Sequence, residues 1–111
     1  MLIVNETIAL QQRKLDIYRE TRHYVSLSVG NSICWSLCKF GKLPYKDIHY
    51  VFPELKLHSP TRTDHLGYWW NRNEYGQQQR LLLLDTIIEE LTQALQPYII
   101  HRKKVNDILN G

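Results

Sequence analysis

Cysteine is scarce in this chain of 111 residues: only Cys34 and Cys38 occur, and their i,i+4 spacing fits neighbouring thiols on a helix rather than a covalent framework. Two free thiols point to a reducing, cytoplasmic compartment. Long apolar runs are missing as well. The longest, Met1 to Val4 and Leu81 to Leu84, fall far short of the roughly 20 residues that cross a bilayer, and Met1 to Glu6 lacks the charged and apolar regions of a secretory signal. Five glycines and four prolines are too few for a collagenous or low-complexity chain. No internal repeat or linker divides the sequence, so residues 1–111 form one domain.

A net charge of +3 and a pI near 8.9 make the protein mildly basic, without the dense Lys/Arg surface of a dedicated nucleic-acid binder. Three tryptophans, seven tyrosines and two phenylalanines supply large apolar surfaces for a core that needs no metal or cofactor.

Periodicity predicts an all-α fold, a compact bundle of about four helices with one long aromatic-rich loop. Asn5 can cap a first helix over Glu6 to His23, with Ile8, Leu15, Tyr18, Arg22 and Val25 near one face. Residues 24–29 alternate apolar and polar, which fits a short β segment as well as a helical continuation or linker. Gly30, Asn31 and Ser32 restart the chain into a second helix carrying Ile33, Leu37 and Phe40, ended by Gly41 and Pro44. A short helix or turn follows over Tyr45 to Leu55, then a long loop from Leu57 to Gly76 rich in Ser, Pro, Thr, Asn and Gly.

The strongest signal is Leu81, Leu84, Ile88, Leu91 and Leu95, spaced three and four apart and widened by Leu82, Leu83 and Ile87. It predicts a helix from Gln77 to Gln96 that is buried on two sides or contacts another chain, so a homo-oligomer is open. Pro97 either kinks this helix or serves as the first residue of another, and a final helix from Pro97 to Leu109 is the favoured reading.

Tyr68, Trp69, Trp70 and Arg72, followed by Tyr75 and Arg80, combine stacking faces with guanidinium groups, a mix suited to an anionic nucleotide or to the energetic centre of a protein interface. The same tryptophans could instead close the core. A second candidate is a phosphate-binding patch of Arg13, Lys14, Arg19 and Arg22 with the run His101, Arg102, Lys103 and Lys104, if the terminal helices lie side by side. Such a cluster is also an ordinary solvated helix face.

Cys34, Cys38, His23, His49, His58, His65 and His101 lack the paired spacing of a zinc site. No sequence signature assembles His65, Asp64, Glu54 or Cys34 into a catalytic group. The leucine stripe spans fewer heptads than a coiled coil needs.

The succession Ser32-Ile33-Cys34-Trp35-Ser36-Leu37, Phe52-Pro53-Glu54-Leu55, Trp69-Trp70 and Arg80-Leu81 with Leu84 resembles small helical accessory proteins encoded by bacteriophages, over residues 32–91. The resemblance implies a non-enzymatic module in the host cytosol that inhibits or sequesters a host defence or regulatory component, its partner a host protein or small nucleotide. A nucleic-acid-binding regulator and a structural subunit of an assembly are the alternatives.

Overall fold

A computed structural model describes the backbone of residues 2–58 and 72–110, and the side chains of 7–58, 72–98, 108 and 109. It contains α1 (Leu2–Ser26), α2 (Ile33–Gly41), a 3₁₀ turn (Tyr45–Asp47), α3 (Ile48–Val51), α4 (Glu54–His58) and α5 (Glu74–Asn110). The all-α expectation holds, with five α-helices and no strand among the described residues.

Helix α1 is longer than expected at both ends. It starts before Asn5, which lies inside the helix instead of capping it; the intrinsic cost of Asn in a helix interior is only about 0.7 kcal/mol, too small to impose a start. At the other end the helix runs through Tyr24, Val25 and Ser26, so the alternating segment 24–29 is not a strand. Val25 is fully buried whereas Leu27 and Val29 are exposed, so the three do not share one buried face. Asn31 instead folds back, its side-chain amide donating to Tyr24 O at 2.7 Å.

Helix α2 begins at the expected restart, and of Asn31 and Ser32 it is Ser32 that caps it: its backbone is extended and its Oγ accepts from Trp35 N at 3.3 Å. The left-handed residue that ends the helix is Lys42 (φ 53°), whereas Gly41 is its final helical residue. A Cβ at Gly41 would meet Leu43 Cδ2 at 2.7 Å, so the end of that side chain would have to move aside.

Helix α5 opens on Asn73, whose Oδ1 accepts from Gly76 N at 2.9 Å, and it continues unbroken through Pro97. The predicted separate helix from Pro97 to Leu109 is thus part of α5. Proline removes one backbone hydrogen bond and crowds the carbonyl four residues earlier; Pro97 lies on the exposed side, where a helix can yield toward solvent.

The long helices α1 and α5 pack antiparallel: Gln77 reaches Val25 O, Arg22 meets Asp85, and Arg19 meets Thr92. Helices α2 to α4 cover one side of this pair. Tyr18, Val25, Leu37, Ile48, Phe52, Leu55, Leu84 and Ile87 are the buried centre, with Tyr18 edge-on to Phe52 at 5.1 Å. Leu84 and Leu95 of the predicted stripe are buried and Leu81, Ile88 and Leu91 are half-buried, but Leu82 points to solvent at 62% exposure. Lys14, expected on the surface, is buried instead: its Nζ lies 2.6 Å from Glu54 Oε1, while Tyr18 OH donates to Glu54 Oε2 at 3.1 Å.

Candidate functional site

The last carbonyls of any α-helix lack intrahelical donors. At the end of α1 they and the following turn are served from outside: Gln77 Nε2 donates to Val25 O at 2.9 Å, and Arg80 Nη2 donates to Val29 O. Arg80 thereby brings a guanidinium to the negative end of the α1 dipole. It is only 4% exposed.

The same guanidinium lines a cavity of about 330 Å³ between the α1–α2 turn and the start of α5, together with Gly30, Asn31, Ser32, Ile33, Cys34, Trp35 and Arg72. Its size lies at the lower end of small-ligand pockets, roughly 300–1,000 Å³. Burial, and secondarily the like charge of Arg72, push the Arg80 pKa down from its ordinary value. Ile33 and Cys34 open α2, where first-turn amides lack intrahelical acceptors. The wall thus combines two cations with a helix start, a set suited to an anion.

Trp35 stands at the rim, 53% exposed. Its indole leans on Tyr24, with centroids 6.0 Å apart and planes inclined by 33°, and the Lys39 ammonium lies 5.3 Å from its centroid. Cys34 is buried in the wall. Burial pushes its thiol pKa up, the neighbouring Cys38 adds to this, and a hydrogen bond with Tyr45 opposes it, so the neutral thiol prevails near pH 7.

Of the residues singled out in the sequence, Arg72 and Arg80 come together at this cavity. Tyr75 sits on the first turn of α5, exposed and not part of the wall. Tyr68, Trp69 and Trp70 lie outside the described residues. Trp35 was legible only as one member of a family resemblance; the signal that could have singled it out is an aromatic residue three positions after a capping serine, on the opening turn of a helix.

The basic patch is not assembled as expected. Lys14 is buried against Glu54, Arg22 forms two bonds to Asp85 at 2.9 and 3.4 Å, and Arg19 lies 4.0 Å from Asp16, leaving Arg13 exposed beside them. The terminal helices do lie side by side, but Thr7, Ile8 and Gln11 share a groove with Leu91, Leu95 and Tyr98. The antiparallel register therefore carries the backbone of Arg102, Lys103 and Lys104 toward the start of α1, away from Arg19 and Arg22.

Among the described residues no three His, Cys, Asp or Glu side chains cluster as a metal site. His58 instead meets Glu90 at 2.6 Å. An apolar groove of about 390 Å³ lies between α1 and α5, lined by Thr7, Ile8, Gln11, Leu91, Ala94, Leu95 and Tyr98. No described helix is long and apolar enough to cross a membrane. No protein-family model, curated protein or solved structure matches the chain.

Proposed function

We propose that this protein is a non-enzymatic binding module that holds an anionic group of its ligand between Arg72 and Arg80. The observation that carries this reading is a nearly buried guanidinium sharing a cavity wall with a second guanidinium. Burial and like charge both disfavour that arrangement, and a bound anion offsets both. The first turn of α2 in the same wall favours negative charge further. The thiol in the wall is held in its unreactive form, in keeping with stoichiometric occupation rather than turnover. Sequestration of a host component is the mode that the likeness to phage accessory proteins suggests.

Calorimetric titration with inorganic pyrophosphate tests the site. Binding is expected at low salt, together with a rise in melting temperature, since a ligand that prefers the folded state stabilises it. Arg72→Gln should weaken it roughly 10-fold or more, the loss of one charge-assisted hydrogen bond. Absence of both heat and thermal shift would sink the reading. A subunit role in a larger assembly is favoured by one separate observation, the apolar groove at Leu91, Leu95 and Tyr98; sedimentation of the purified chain distinguishes it.

A further inference from the structure

We infer that the ligand of the Arg72–Arg80 cavity is a nucleotide, its phosphates between the arginines and its base stacked on Trp35. This deepens the anion-binding reading and rests on it. Trp35 and the two arginines line one cavity, so a ligand anchored by its phosphates lies beside an indole that is half open to solvent.

That indole is already held. Tyr24 lies against it and Lys39 is placed over Tyr24, Trp35 and Phe40, with its ammonium 5.2, 5.3 and 5.7 Å from the three centroids. A ring fixed before binding loses little rotamer freedom when a second ring stacks on it. The same contacts decide the kind of ring. Lys39 already supplies a cation to these aromatic rings, which disfavours a second cation such as a quaternary ammonium and favours a flat, neutral heterocycle. Every nucleobase is such a heterocycle.

The test compares the four ribonucleoside diphosphates with inorganic pyrophosphate, on the wild-type chain and on Trp35→Ala, with helicity checked by circular dichroism. At least one diphosphate should bind about 5- to 150-fold more tightly than pyrophosphate, the range of one base–aromatic stack. Trp35→Ala should abolish that advantage while leaving pyrophosphate affinity unchanged. Equal affinity for nucleotides and pyrophosphate, or an advantage that survives Trp35→Ala, overturns the nucleotide assignment and leaves the anion site standing. Failure of every phosphate compound to bind overturns both.

Discussion

Two cations are almost equally buried, Lys14 at 5% and Arg80 at 4% exposure, yet their surroundings differ in kind. Lys14 is matched by a carboxylate from another helix, and the second oxygen of that carboxylate is taken by Tyr18. Arg80 donates to a neutral carbonyl, feels the like charge of Arg72 and borders open space. A buried charge that is internally neutralised is a structural device, and removing its partner is costly. Arg80, beside a like charge and in a cavity wall, is the residue on which the proposed anion site rests. The contrast separates the two by their electrical surroundings where burial alone cannot.

The sharpest way to break the comparison is Glu54→Ala, which leaves Lys14 buried without its counter-charge. It should cost about 3–5 kcal/mol in denaturant unfolding, the effect typical of a broken buried pair. A loss under 1 kcal/mol would mean that the pair contributes nothing special.

The alkaline limb of stability sharpens it next. Burial above all, then the charge of Glu54 and the hydrogen bond to it, raise the Tyr18 pKa well above its ordinary 10.0. Above pH 10 the unfolded phenol loses its proton while the folded one keeps it, so stability present at lower pH is lost as pH rises, by about 1.4 kcal/mol per pH unit for this one group. Cys34, Cys38 and Tyr45, also raised, steepen the fall. Unfolding of Tyr18→Phe should show a slope shallower by about half a proton at pH 10, rising to about nine-tenths at pH 11; an unchanged slope contradicts the assignment.

Arg72→Glu would replace the like charge beside Arg80 with an opposite one. Because position 72 is exposed, the gain in stability should be at most about 1 kcal/mol, but pyrophosphate binding should disappear. A protein both destabilised and still binding would contradict the account. The smallest effect belongs to Arg22 and Asp85, a bidentate pair with side chains 42% and 51% exposed; Asp85→Asn should cost under about 1 kcal/mol.

What could be read from the sequence divides along the distance over which each signal acts. The Leu84 and Leu95 stripe of α5 and the cap at the Gly30–Ser32 restart work within a few residues, and both hold in the fold, whereas Leu82 does not widen the buried face. The burial of Lys14 depends on Glu54, 40 positions away, and nothing local to Lys14 announces it. At Pro97 the local rule leaves open whether the helix continues or restarts, and continuity with a helix anchored in the core at Leu95 decides for one helix. Arg72 and Arg80 were legible as cations near aromatic residues; their shared cavity was not, since the α1–α2 turn that closes it comes from 40 or more residues earlier.

The antiparallel pairing of α1 with α5 also governs the order in which the molecule can assemble. Helical proteins usually fold fast because their contacts are local, but here residues such as Arg22 and Asp85 meet across 63 positions. On the ribosome, at about 5–20 residues per second, α1 is complete several seconds before the Leu84–Leu95 face that covers it has been made. During that interval Leu15, Ile17 and Val25 have only the interim shelter of α2 to α4, so the nascent chain passes through a stage in which an apolar helix face is open to chaperones or to neighbouring chains.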